Sequence, residues 1–161
     1  MSDKPEEKQW ILVLDDEPLV TKTLESLLRL ESPWEVASFN RPVDAVESLS
    51  ERRYAAVVSD FLMPEMDGLE FLQQARRLQP TVSRILLTGY ADKQNAIRAI
   101  NEVGLYLYLE KPWDNSDLLL SLRNAVERSD LLHEIDEKMH RLCEMDQSME
   151  ALRARLLKAI V

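Results

Sequence analysis

The 161 residues are 45% hydrophobic and 30% charged, proportions that fit one ordinary globular domain with an extension. Net charge is −9, which argues against direct nucleic-acid binding, since that needs a basic footprint. A single cysteine, Cys143, excludes an intramolecular disulfide; Met1 to Lys8 holds no apolar signal region and reads as a flexible N-terminus, and no run approaches the ~20 apolar residues of a membrane span, so a cytoplasmic chain without membrane contact is expected.

The run Trp10-Ile11-Leu12-Val13-Leu14 reads as a buried strand, ending at Asp15-Asp16. Pro18 then opens a helix at its first turn, with Leu19, Val20, Leu24, Leu27 and Leu28 at helical spacing, and Pro33 ends it. Trp34 to Ser38 is a second strand, weakened by Glu35. Arg41-Pro42 starts a second helix carrying Val43, Ala45, Val46 and Leu49. Ala55-Ala56-Val57-Val58-Ser59 is a third strand ending at Asp60, followed by a turn-rich loop to Gly68. Leu69, Phe71, Leu72, Ala75 and Leu78 mark a third helix, with Pro80 beyond its end. Arg84 to Thr88 is a fourth strand, and Gly89-Tyr90-Ala91-Asp92 a loop in which Asp92 suits an N-cap. A fourth helix runs to about Val103, stopped by Gly104. The fifth strand ends near Leu109, just ahead of Lys111.

Five strands alternating with helices predict an α/β fold, a doubly wound parallel sheet with helices on both faces. In such sheets chemistry collects outside the carboxyl ends of the strands. Asp15, Asp16 and Asp60 would then converge with Lys111. Clustered carboxylates repel, and a hard divalent cation with oxygen ligands relieves that repulsion.

From Asn115 to Val161 there is no Gly or Pro. Leu118, Leu122, Ala125 and Val126 would close the domain, and a boundary falls near Ser129-Asp130. Beyond it Leu132, Ile135, Met139, Leu142, Met145, Met149, Leu152 and Leu156 recur at spacings of three and four, a coiled-coil seam. The step of three from Leu142 to Met145, where a heptad wants four, implies a stammer.

Leu14-Asp15-Asp16-Glu17-Pro18, the segment from Asp60 through Met63-Pro64 to Asp67-Gly68, the lone Thr88 and Lys111-Pro112 together resemble the receiver domain of two-component response regulators, over roughly residues 9–128. The resemblance implies a flavodoxin-like sheet of order 2-1-3-4-5, with residues 129–161 as a helical linker or coiled coil after residues 1–8 and the receiver. It also implies roles. Asp60 would be the phospho-acceptor. Asp16, with Asp15 and Asp60 and the Leu62 carbonyl, would bind Mg²⁺. Thr88 and Lys111 would contact the phosphoryl group. Thr88 and Tyr108 would form the switch, and Lys111-Pro112 would take a cis peptide. The phosphoryl donor would be a histidine kinase or phosphotransfer protein, and no enzyme activity beyond self-phosphorylation and autodephosphorylation is expected. The loop after Thr88 and the Lys111-Pro112-Trp113-Asp114 string narrow the likeness to receivers found before HD-GYP phosphodiesterases, in hydrogenase-type transcriptional regulators and in some hybrid kinases.

Bulky Leu62 and Tyr90 offer no group to orient an attacking water, which predicts a long-lived phosphoryl group. Two other readings stand beside this one. A haloacid-dehalogenase-like phosphatase also uses a strand-end aspartate with Mg²⁺, but wants Asp-x-Asp after the first strand; here the string is Asp15-Asp16-Glu17, and no large cap insertion exists. A dimerisation scaffold that is never phosphorylated has no need of the acidic cluster. The tail is expected to make a parallel homodimer, because a linker between twofold-related domains brings both outputs to one end. His133 and His140, seven apart, read as solvated helix positions, as does Cys143.

Overall fold

The computed structural model describes residues 7–89 and 92–160. Five parallel strands, β1 (Trp10–Leu14), β2 (Glu35–Phe39), β3 (Ala56–Asp60), β4 (Ser83–Thr88) and β5 (Leu107–Glu110), form one sheet in the order β2-β1-β3-β4-β5. Between them run α1 (Pro18–Glu31), α2 (Pro42–Glu51), α3 (Gly68–Leu78) and α4 (Lys93–Val103); α5 (Asn115–Ile160) follows β5. This is the flavodoxin-like order that the motifs imply.

The burial pattern follows from that order. β3 and β4 are buried along their whole length and β1 in all but Trp10, so each reads as an unbroken apolar run. On one face Leu12, Leu14, Val57 and Leu86 pack against Ala45 and Leu49 of α2 and Phe71, Leu72 and Ala75 of α3. On the other, Ile11, Val13, Val58, Ile85 and Leu87 pack against Leu24 and Leu28 of α1 and Leu118, Leu122, Ala125 and Val126 of α5. β2 is an edge strand, and Glu35 at its start is tolerated because it reaches solvent, where it meets Lys8 at 2.7 Å. Trp34 lies just ahead of the strand, buried in the α1 side of the core.

Helix starts obey local chemistry. Pro18 and Pro42 occupy first-turn positions, where a missing N–H costs nothing. Asp67 caps α3, its carboxylate accepting from Glu70 N at 2.9 Å, and Asp114 Oδ1 accepts from Ser116 N and Asp117 N ahead of α5. Asp92 precedes α4 but its side chain makes no capping bond, so that expectation fails in its chemistry. Gly104 ends α4 at φ 65, in the left-handed region that favours glycine. Three apolar residues assigned to helix faces are exposed: Leu19 is 75%, Val43 52% and Leu78 45% accessible. α1 buries Thr21 with Leu24 and Leu28, and α2 buries Pro42 with Ala45 and Leu49, so those three- and four-residue spacings leave Leu19 and Val43 outside.

Arg84 is buried at the start of β4, its Nε and Nη2 donating to Gly104 O at 3.2 and 3.0 Å and its Nη1 to Val82 O at 3.0 Å. Burial, with Arg76 and Arg128 nearby, pulls its pKa down to about 10. The fork stays charged at neutral pH and satisfies the Gly104 carbonyl that the end of α4 leaves open, with the Val82 carbonyl beside it.

The chain divides into two compact units, Met1–Ser129 and Asp130–Val161. Taken by itself, the second is helical throughout its described length and carries His133–Glu137, Lys138–Glu134 and His140–Glu144 pairs at i,i+4 spacing. The histidines are therefore side partners of glutamates on a solvated face. Ile135, Met139, Leu142, Met145, Met149, Leu152 and Leu156 are each 53–67% exposed. No helix among the described residues is long and apolar enough to cross a membrane.

Candidate functional site

The crossover from β2 back past β1 to β3 opens a crevice between the carboxyl ends of β1 and β3. Asp15 and Asp16 leave β1 there, and Asp60 is the last residue of β3. One carboxylate oxygen from each of the three lies within 4.8 Å of the others. Asp15 is fully buried; its Oδ1 accepts from Glu17 N at 2.9 Å and its Oδ2 from Lys111 Nζ at 3.1 Å. Asp60 Oδ1 accepts from Phe61 N at 2.9 Å and from Lys111 Nζ at 3.0 Å. One ammonium thus bridges two carboxylates.

The charge balance is incomplete. Burial pushes the Asp60 carboxyl above its usual range; the Lys111 hydrogen bond opposes this, and the Asp15 charge adds to it. Burial alone would lower the Lys111 pKa, but its bonds and charges toward Asp60 and Asp15 outweigh that and raise it. Three acids against one ammonium leave a surplus of negative charge in a crevice of oxygen donors. That donor set suits a hard divalent cation such as Mg²⁺, which binds through a few carboxylates and keeps waters.

Backbone bonds hold the strand ends in step: Phe61 N to Leu87 O at 3.1 Å, and Lys111 N to Thr88 O at 2.8 Å. The Lys111-Pro112 peptide is cis. Thr88 is fully buried, and its Oγ1 has no hydrogen-bond partner among the described residues. Buried hydroxyls are normally satisfied, so this one is suited to a ligand oxygen. Tyr108, paired in register with Leu86, is partly buried against the α2–α3 side of the core. Leu62 is exposed beside the crevice. Tyr90 and residues 1–6 lie outside the described residues.

Two residues that support the site were given no role in it from sequence. Asn40, beyond the end of β2, donates to Asp15 O at 2.9 Å and to Thr21 Oγ1 at 3.0 Å. Gly68 packs on the Asp60 carbonyl, where a Cβ would stand 2.1 Å from the oxygen. Its φ is not positive, so it supplies room; the left-handed residue of this loop is Glu65, at φ 72. The Asp67-Gly68 pair was a legible signal for the turn, while nothing in the pattern marks Asn40.

Residues 11–123 match the model of the response regulator receiver domain family. The chain belongs to the response regulator receiver family. The chain, tail included, is 34% identical over 157 residues to the hydrogenase transcriptional regulatory protein HoxA of Cupriavidus necator, covering 96% of this chain and 30% of that protein. It is 33% identical over 124 residues to the C4-dicarboxylate transport transcriptional regulatory protein DctD of Rhizobium meliloti, 77% of this chain and 26% of that one. Among solved structures, the signal receiver domain of an HD domain-containing protein from Pseudomonas fluorescens Pf-5 superposes with a TM-score of 0.72 at 35% identity, over 77% of this chain and 98% of that one. Of the three kinds of relative expected, a hydrogenase regulator is found, and an HD domain-containing protein corresponds to a second in its coarser form. The chain spans less than a third of the length of these two regulators. Receivers of two-component systems take a phosphoryl group on an aspartate from histidine kinases and bind Mg²⁺ at an acidic pocket.

Proposed function

We propose that Asp60 is the phospho-acceptor of this receiver, that Asp15, Asp16 and Asp60 with the Leu62 carbonyl hold Mg²⁺, and that Thr88 and Tyr108 pass the change outward. The observation that carries this is the three-carboxylate crevice bridged by Lys111. Mg²⁺ bound there supplies charge neutralisation for carboxylates and phosphoryl oxygens alike. The N–P bond of a kinase phosphohistidine breaks, and a bond forms between an Asp60 carboxylate oxygen and phosphorus. Lys111, already on Asp60, offsets the phosphoryl charge. The orphaned Thr88 hydroxyl donates to a phosphoryl oxygen, and its displacement makes room for Tyr108 to turn inward. Incubation with a small acyl-phosphate donor and Mg²⁺ tests the reading: one phosphoryl group is gained, and the gain is lost with chelator.

The exposed Leu62 has no group to orient water, which supports a slowly hydrolysed acyl phosphate. Leu62→Asn is expected to shorten the phosphoryl lifetime at least a few-fold, followed by loss of label. Fast loss in the wild type, unchanged by that substitution, contradicts this.

The exposed apolar positions of the tail support a homodimer in which two α5 helices pair in parallel through Ile135, Met139, Leu142 and their successors. An isolated helix of this kind is marginal in water without a partner. Light-scattering mass of the full chain with Mg²⁺, then with Mg²⁺ and beryllofluoride, is expected to read a dimer in at least one state. A monomer in both removes the coiled coil. The relatives HoxA and DctD are named as transcriptional regulators, which supports an output domain that the tail would join to the receiver.

A further inference from the structure

The cation pocket is built on a loop of three residues, Asp15-Asp16-Glu17, between the end of β1 and Pro18 at the start of α1. Its first residue is locked by side-chain bonds to Glu17 N and Lys111, and its own N–H donates to Phe39 O at 3.2 Å. What fixes the peptide between Asp15 and Asp16 is a residue from another loop. Asp15 O can only accept a hydrogen bond, so the Asn40 side-chain nitrogen must face it, at 2.9 Å. Thr21 donates its hydroxyl proton to Pro18 O at 3.0 Å, so toward Asn40 its oxygen accepts, at 3.0 Å. Both amide hydrogens of Asn40 are thereby used, one on each side of the acidic loop.

We infer that Asn40 is a positioning residue for the cation pocket: it braces both ends of the Asp15-Asp16-Glu17 loop and so sets the affinity for Mg²⁺. The inference rests on the reading of Asp15 and Asp16 as Mg²⁺ ligands. Two carboxylates on adjacent residues repel each other before the cation arrives. The peptide that joins them is the rotatable element through which Asp16 would swing away, and Asn40 restrains that peptide at its oxygen. A freed loop must be ordered again when Mg²⁺ binds, and that cost appears as weaker affinity. Partners that orient ligands in this indirect way typically change metal affinity by about 10- to 100-fold when removed. The lower end applies here, because Asn40 itself is solvent-exposed.

The experiment is a Mg²⁺ titration of the full chain followed by tryptophan fluorescence, with Trp113 two residues from Lys111 as the reporter. Melting in chelator is measured alongside. Asn40→Ala is expected to raise the Mg²⁺ dissociation constant about tenfold while melting in chelator moves little. Thr21→Val, of equal size, leaves the bond to Asp15 in place and is expected to raise it less. Asp16→Asn serves as the control for the pocket itself. An Asn40→Ala chain that binds Mg²⁺ like the wild type, while Asp16→Asn does not, overturns the inference alone. A wild type that binds no Mg²⁺, or an Asp16→Asn chain that binds as well as it, overturns the pocket reading and the inference with it. An Asn40→Ala chain that melts well below the wild type, together with a Thr21→Val chain whose Mg²⁺ affinity is unchanged, reduces Asn40 to a structural residue and also overturns it.

Discussion

Asp60→Asn is expected to abolish phosphorylation and, in Mg²⁺-free buffer, to melt a few degrees above the wild type. The two effects share one cause. Burial and the Asp15 charge together outweigh Lys111 at Asp60, so its carboxyl holds its proton more tightly in the folded chain than in the unfolded one. The sign then follows from linkage. A carboxyl whose folded pKa is raised favours the folded state when protonated, and its stabilising contribution is lost as pH rises from the unfolded value through the folded one. The penalty on the folded chain grows as pH rises above the unfolded value. An asparagine removes it while its carbonyl still accepts from Phe61 N and Lys111. Mg²⁺ reverses the order. Binding to the folded wild type stabilises it by about 2.7 kcal/mol at a hundredfold excess over the dissociation constant, and the variant forfeits most of that. Melting curves with chelator and with Mg²⁺ should therefore cross over between the two chains. A wild type that is the more stable in chelator would show that Lys111 balances the pocket without a cation.

What could be read from the residues alone divides along physical lines. The strand ends were legible because β1, β3 and β4 are covered on both faces, so their apolar runs stop abruptly where chemistry begins, at Asp15, Asp60 and Thr88. Lys111 was legible by the same logic at an edge strand. Helix faces were less so. Leu19 and Val43 are apolar but lie off the buried stripe, and nothing at their positions reports the angle at which α1 or α2 meets the sheet. Asn40 was invisible because the atom it recognises most closely is a backbone oxygen, which every residue type carries. Arg84 was hidden for the same reason: its partners are the carbonyls of Gly104 and Val82, so no acidic residue marks them in the sequence. The tail is the opposite case: its apolar pattern is visible in sequence, and the positions that carry it are exposed.

Gly68→Ala is expected to damage fold and pocket together, and magnitudes decide the sign. Alanine at the start of α3 gains up to about 1 kcal/mol in helix propensity over glycine. Against it, the new Cβ would stand 2.1 Å from Asp60 O and 3.0 Å from both Asp60 C and Phe61 Cα. These are backbone atoms of Asp60, the last residue of β3, and of the residue after it, so no side chain can rotate out of the way. Moving α3 outward would break the bond from Gly68 N to Phe61 O, 2.8 Å long, and lift Phe71 and Leu72 from the core. Moving Asp60 inward would disturb a strand bonded on both sides. Overpacking of this kind costs about 3 kcal/mol or more, which exceeds the propensity gain and lowers the melting temperature by about 10 °C. Because the displaced atoms belong to Asp60, the rate of phosphorylation and the Mg²⁺ affinity should fall in the same variant, in the fraction that remains folded. A Gly68→Ala chain with wild-type melting and wild-type Mg²⁺ affinity would mean that the loop from Phe61 to Asp67 yields easily, and that the close approach of α3 does nothing to place the carboxylate.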